Sequence, residues 1–387
     1  LREQDIKRIV DTWNARHDVP HYAKFVPISG ENSIEANDYN LNIPRYIQPA
    51  DTEICQDIDA HLHGGIPKHD VEQLSAYWTV CPSLRSALFD ETAERITLRT
   101  DKATIANVIA ADHSFIEQKN HFSRSIKAWC DNMRPLFRGL TTNIKPKALI
   151  EEWAQSLLDI MKEDKSLVDA YDAYQQLLTY WHDTLQDDCY IISHDGWKPT
   201  LLRGTKKTAT YEDMVCDLLP VGIVLNEYFA DELEEIATIT AERDEVAAEL
   251  QAMIDVVLDE SAEDDEDEIK ALTDEVKKTK EYKAKDKVRK AIDKRLKEKK
   301  AALTEAVAAK YAAFTEAEVI DLVVEKKWIA TITTMIQSEM QQVTQRLTAN
   351  IAAIVERYEQ TLSVIDAEVS DLEAKVNSHL AKMGFSL

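Results

Sequence analysis

Phe229-Ala-Asp-Glu-Leu-Glu-Glu-Ile236-Ala-Thr-Ile239-Thr-Ala-Glu-Arg-Asp-Glu-Val246-Ala-Ala-Glu-Leu250-Gln-Ala-Met253-Ile-Asp-Val-Val257 contains neither glycine nor proline. Phe229, Ile236, Leu250 and Val257 fall seven or fourteen residues apart, with Ile239, Val246 and Met253 on the adjoining track. This is the 3-4 spacing of a helical seam that buries one stripe against another helix. The same alternation returns near the end of the chain, where Tyr358, Ile365, Leu372 and His379 interleave with Leu362, Val369, Val376 and Met383. Residues 218–387 therefore read as a long-helix coiled-coil region, its two striped helices expected to pair as an antiparallel hairpin. Between them lies a charged insertion, 259–300, with an acidic block at Asp259–Glu268 and a basic one from Lys277 to Lys300. Three uses of this insertion stand open: a solvated helical extension, contact with DNA phosphates, or contact with an acidic partner.

Upstream, residues 51–217 read as a helical domain. A helix is expected over Pro67–Trp78 with Asp70 as its cap, and further amphipathic helices over 103–133 and 146–185. The run Asp188-Cys189-Tyr190-Ile191-Ile192 leads into Ser193-His194-Asp195-Gly196, a strand-then-turn pattern that predicts one short β element there. Residues 1–50 begin with Ile6, Ile9, Val10 and Trp13 at helical spacing. They then become irregular through Pro20, Pro27 and Gly30 and end extended, because Pro44 keeps Ile43 out of the helical region. The fold class expected is mainly α: a helical domain with a short β element, followed by a long antiparallel helical hairpin or coiled-coil arm.

At 387 residues with net charge −24 and a pI near 4.9, the chain is unsuited to uniform nucleic-acid binding, though local basic patches remain possible. Cys55, Cys81, Cys130, Cys189 and Cys216 are widely spaced and read as reduced thiols. No charged-then-apolar leader opens the chain and no run of eighteen apolar residues occurs, so a cytoplasmic protein without a membrane span is expected.

Four constellations invite chemistry and each has a plainer reading. Asp59-x-His61-x-His63 would place metal ligands on one face of an extended segment, but no third or fourth ligand is evident, and loop packing at a helix start is favoured. Asp187 and Asp188 carry the residue types of a magnesium-dependent nuclease but lack a following Glu-x-Lys, which favours capping or turn chemistry. Ser193-His194-Asp195 are consecutive, and triads are assembled from separated positions. The acidic block lacks the alternating ligands and central glycine of a calcium loop. Tyr171, Tyr174, Tyr180 and Trp181 recur at helical spacing and read as core. No residue is assigned as catalytic, cofactor-binding or metal-ligating.

One stretch is too specific for propensity to explain: Asn37-Asp38-Tyr39-Asn40-Leu41-Asn42-Ile43-Pro44-Arg45-Tyr46-Ile47. It resembles a signature segment of the methyltransferase (modification) subunit of type I restriction-modification systems. Leu1–Val10, His63–Pro67, Asp187–Ile192, Lys326–Thr331 and His379–Phe385 resemble other pieces of that subunit, whereas 259–300 matches none of it. The resemblance implies a DNA adenine-N6 methyltransferase that binds S-adenosylmethionine and flips its target base. It also implies assembly of two such subunits with one specificity subunit and with a motor and nuclease subunit. The family's Gly-rich cofactor loop and Asn/Asp-Pro-Pro-Tyr/Phe segment do not occur among these residues. The chain is thus expected to be the C-terminal part alone, residues 1–50 forming the tail of the methyltransferase domain. Asn37, Tyr39, Asn40, Asn42, Arg45 and Tyr46 are candidates for the DNA cleft, or else form a packed closing segment bonding its own backbone. Leu372, Val376, Leu380, Met383 and Phe385 are candidates for docking the specificity subunit. The alternative is a freestanding acidic coiled-coil tether with no enzymatic activity.

Overall fold

A computed structural model of the chain describes residues 1–20, 22–47, 56–91, 95–142, 144–206, 208–260 and 266–383; within these, the side chains of 258–260, 266–268, 270 and 271 lie outside the description. The helices are α1 (Glu3–Ala15), α2 (Ile58–His63), α3 (Lys68–Glu72), α4 (Ser75–Val80), α5 (Pro82–Leu88), α6 (Ile105–Ala111), α7 (His113–Arg138), α8 (Pro146–Asp164) and α9 (Ala170–Tyr180). They continue with α10 (Gln186–Asp195), α11 (Val221–Tyr228), α12 (Ala230–Glu260), α13 (Glu266–Lys278), α14 (Lys280–Ala313), α15 (Glu316–Asp321), α16 (Ala330–Arg357) and α17 (Leu362–Lys382). Two π-helical segments, Trp181–Leu185 and Leu322–Ile329, precede α10 and α16. An antiparallel ladder joins β1 (Phe89–Glu91) to β2 (Ile96–Leu98), with Phe89 opposite Leu98 and Glu91 opposite Ile96. The chain is mainly α, as its periodicity predicts. Among the described residues, no helix is long and apolar enough to cross a membrane.

The chain divides into two compact units, each discontinuous in sequence: residues 1–133, 147–183 and 332–387 form one, residues 134–146 and 184–331 the other. The first is organised on α7. Phe122, Ile126 and Trp129 lie one turn apart on its inner face and are buried, together with Leu84 and Leu88 of α5, Ile105 and Ile109 of α6, and Trp153 and Leu157 of α8. The Trp129 indole donates to Ser156 Oγ at 2.9 Å, so this large side chain is buried with its polar atom satisfied. Asp70 is fully buried inside α3 rather than capping a helix; Pro67 stands at the N-cap, and Arg357 donates to the Asp70 carboxylate at 3.3 Å.

In the second unit, α12 and α14 form the long antiparallel hairpin. Three cross-helix ion pairs fix its direction: Lys285–Glu249 at 2.6 Å, Arg295–Glu242 at 3.6 Å and Lys299–Glu235 at 2.7 Å. Ile236, Ile239 and Leu250 of the predicted stripe are buried, while Phe229, Val246, Met253 and Val257 are half-buried and Ile254, outside the stripe, is buried beside them. The pairing differs from expectation in its second leg: α12 pairs with the helix of the basic block, not with the C-terminal stripe. Glutamates at one-heptad intervals beside the α12 seam, Glu235, Glu242 and Glu249, each meet a lysine or arginine of α14. The side chains of the acidic block lie outside the described residues.

The predicted β element is also corrected. Asp188–Ile192 lies within α10, and the Asp195-Gly196 signal is a helix terminus: Gly196, at φ +72°, donates its N–H to the Ile192 carbonyl at 3.0 Å. Asp188, Cys189 and Ile192 are buried at helical spacing, and tertiary burial overrides the β preference of Tyr190-Ile191-Ile192. The unit's interior holds one charged group of note. Lys327 Nζ lies 2.8 Å from Asp188 Oδ1 and also donates to the carbonyls of Asp217 (2.6 Å) and Leu218 (3.1 Å), while the Trp328 indole donates to Asp188 Oδ2 at 2.8 Å. Trp328 in turn lies edge-on to Phe137 at 5.5 Å. Burial pushes the Asp188 carboxyl above its ordinary range against the pull of the Lys327 ammonium.

Candidate functional site

The opening helix docks the wrong way round for an amphipathic helix. Its polar positions face α8 and α9: the Gln4 backbone N–H and side-chain amide donate to Gln175 and Asp172 at 3.1 Å, Arg8 pairs with Asp169 at 3.1 Å, and Asp11 receives Lys162 and the Tyr171 hydroxyl at 3.0 Å. Its apolar positions, Ile6, Ile9, Val10 and Trp13, are left in solvent, Trp13 being 75% exposed. Burial alone would raise the Asp11 carboxyl, but hydrogen bonds from Lys7, Lys162 and Tyr171 hold it below the usual range.

After α1 the backbone turns at Arg16, whose N–H closes on the Thr12 carbonyl, and the following segment folds back beside the helix. Trp13 and Ile9 on one side and Tyr22, Phe25, Val26 and Ile34 on the other bound an apolar cleft of about 960 Å³ with Arg16, His17 and Lys24 at its polar positions. Among the described residues no carboxylate lines it. A smaller hollow of about 190 Å³ continues from Lys24, Val26 and Ile34 to Leu41, Ile43 and Tyr46. Among the described residues that line the cleft there is no glycine and no acidic side chain to meet a ribose, so this lining does not fit S-adenosylmethionine.

The Asn-rich segment is a sequence of tight turns. Asn37 Nδ2 donates to the Ser33 carbonyl at 3.1 Å, Asn40 Oδ1 accepts from the Asn42 N–H at 2.9 Å, and the Tyr46 hydroxyl donates to the Asn40 carbonyl at 2.5 Å. Asp38 and Tyr39 are consecutive left-handed residues, φ +55° and +57°. An isolated Asn or Asp adopts this conformation readily, a tyrosine rarely. Asn37, Asn40 and Tyr46 are thus gathered into one network with their polar atoms on local backbone. Tyr39, Asn42 and Arg45 are exposed. At the other end of the chain, α17 buries none of its side chains. Leu372, Val376 and Met383 are exposed, Leu380 is half-buried, and Phe385 lies outside the described residues.

The remaining constellations separate. Asp59 and His63 are one helical turn apart and bond each other at 2.8 Å, whereas His61 faces away to Gln56, because α2 is helical where an extended segment was expected. Among the described residues no group of three His, Cys, Asp or Glu is placed to hold a metal ion. Asp187 is exposed and Asp188 buried. Ser193 bonds the Tyr190 carbonyl, while His194 bonds Asp195. Cys81, Cys130, Cys189 and Cys216 are buried; Cys55 lies outside the described residues.

The candidate residues read from sequence omit Trp13, Arg16, Tyr22, Lys24 and Phe25, which line the cleft. The signal for α1 was present in its apolar spacing, but spacing does not say which face docks.

The family model described as N-6 DNA Methylase matches residues 1–54, the segment that carries α1, the cleft and the Asn-rich turns. No curated protein matches the chain, and no solved structure does. The match supports a relationship to the DNA N6-methyltransferases, carried by those first 54 residues.

Proposed function

We propose that this chain is the C-terminal part of the modification subunit of a type I restriction-modification system, an adenine-N6 DNA methyltransferase, and that its work is assembly and placement on DNA. One observation carries the reading: the segment related to N-6 DNA methylases presents its apolar side outward. Ile9, Trp13, Phe25, Ile28, Leu41 and Ile43 are exposed on that segment. Large apolar side chains exposed in such number on one short segment favour a contact with another folded body. Under this reading the body is the catalytic domain of the same enzyme, which supplies the S-adenosylmethionine site, and the Asn-rich turns stand beside its DNA cleft. The exposed stripe of α17, through Leu372, Val376, Leu380 and Met383, then docks helices of the specificity subunit, and the motor and nuclease subunit joins the same complex.

The test is co-purification. The intact chain should form a stoichiometric complex with a catalytic domain of this family and with the specificity subunit, read by sizing and light scattering. Trp13→Glu should abolish the first association, and removal of residues 366–387 should weaken the second. Unchanged co-elution in both cases would remove these surfaces from the assembly.

A further inference from the structure

The basic block is a ridge. On α14, Lys280, Lys283, Lys287, Lys290, Lys294 and Lys297 recur at alternating intervals of three and four and are all exposed. At about 100° per residue they fall within an arc of roughly 100°, and at 1.5 Å per residue they run about 25 Å along the helix. The seam against α12 is on the opposite side: Tyr282, Lys285, Arg289, Ile292, Leu296 and Leu303 follow the complementary track and are half-buried or buried. Thirteen Lys and Arg stand against four Asp and Glu over residues 277–300.

The two faces are treated differently by the rest of the unit. Glu235, Glu242 and Glu249 of α12 neutralise only the seam-side cations Lys299, Arg295 and Lys285. On the ridge, Lys290 and Lys294 find partners within their own helix, Asp286 and Glu298. Lys280, Lys283, Lys287 and Lys297 have no ion-pair partner among the described residues. A chain of net charge −24 thus carries on one helix face a line of six ammonium groups, four of them without an ion-pair partner among the described residues.

We infer that this ridge docks the sugar-phosphate backbone of duplex DNA. The argument is charge complementarity of a regular kind: a straight row of point cations matches a regular row of phosphates. The residue type says which part of DNA is met. Lysine neutralises phosphate without the planar, bidentate geometry that reads base edges, and the ridge contains no Arg, Asn or Gln. The contact is therefore independent of sequence, positioning DNA rather than selecting it. This inference rests on the proposed relation to DNA methylation for its choice of polyanion, but not for its test.

The experiment measures the anisotropy of a labelled duplex, longer than the ridge, titrated with the intact chain across a salt series starting at about 50 mM. Lys280→Gln, Lys283→Gln, Lys287→Gln and Lys297→Gln are combined in one variant. A control variant of equal charge combines Lys68→Gln, Lys119→Gln, Lys147→Gln and Lys198→Gln, all exposed elsewhere. The ridge variant is expected to lose at least tenfold in affinity, and its salt slope to become shallower by about three to four, at roughly 0.9 per phosphate contact. The control is expected to change less than twofold, with both variants keeping the helicity and thermal midpoint of the parent. Equal losses in the two variants would overturn the inference, as would an unaffected ridge variant. Binding of the intact chain to polyglutamate but not to duplex would overturn it in favour of an acidic protein partner. No S-adenosylmethionine or specificity subunit is used, so a failed assembly test leaves this result standing, and the reverse.

Discussion

Asp187 and Asp188 are neighbours of identical chemistry with opposite fates, one in solvent and one held by Lys327 and Trp328 in the interior. A buried carboxylate is tolerated because its ion pair and the indole N–H replace water. Lys327→Met should therefore destabilise the chain by about 3–5 kcal/mol, since it strands Asp188 and two carbonyls together. Chemical denaturation checks this, and a loss below about 1 kcal/mol would mean that Asp188 is reached by water. Tyr39 gives a second residue-scale test. Its left-handed backbone costs an L-residue about 1–2 kcal/mol, so Tyr39→Gly should raise the unfolding midpoint, and a lowered one would show that the exposed ring is held by contacts worth more than the strain. Neither fate is legible in sequence. The pair Asp187-Asp188 reads symmetrically, and only the helical phase of α10, fixed by Cys189 and Ile192 in the core, decides which aspartate turns inward.

At the scale of elements, the periodicity of Phe229–Val257 was enough to place a long helix and its seam, and the stretches 103–133 and 146–185 were likewise legible as helices. Partner choice was not. Apolar spacing alone gives α12 two possible partners, and the decision comes from where cations sit beside the second seam, a property of the pair. The misplaced β element has a similar cause, since Asp-Gly closes a hairpin or ends a helix according to what precedes it. Helix α1 supplies a pH test. The Asp11 carboxyl is lowered in the folded chain, so its contribution is full above the unfolded value near 3.8 and is lost as pH falls through the folded value. Amide exchange in α1 should accelerate below about pH 4 before exchange in α7 does. Simultaneous acceleration would show that α1 is not held by this carboxyl.

For the whole molecule, the sequence separates what is here from what is not. Its first 54 residues match the N-6 DNA methylases, while the glycine loop and the Pro-Pro segment of the family's chemistry do not occur in it. On the proposed function, the chain mixed with DNA and S-adenosylmethionine is expected to transfer no methyl group; incorporation of labelled methyl by this polypeptide alone would refute that proposal. The discontinuous units, by contrast, leave no trace in any local pattern. Periodicity reports what each helix buries, not which of two interiors it joins.

The opposed faces of the helical hairpin have one more consequence. With glutamates concentrated along α12 and lysines along the outer side of α14, positive and negative charge are separated across the width of the hairpin, not along its length. Such an object feels a torque in an external field before it touches anything. Approaching a polyanion, it would be turned about its long axis until the ammonium groups face forward, so that orientation is settled by the field in solution and the collision need only bring the surfaces together.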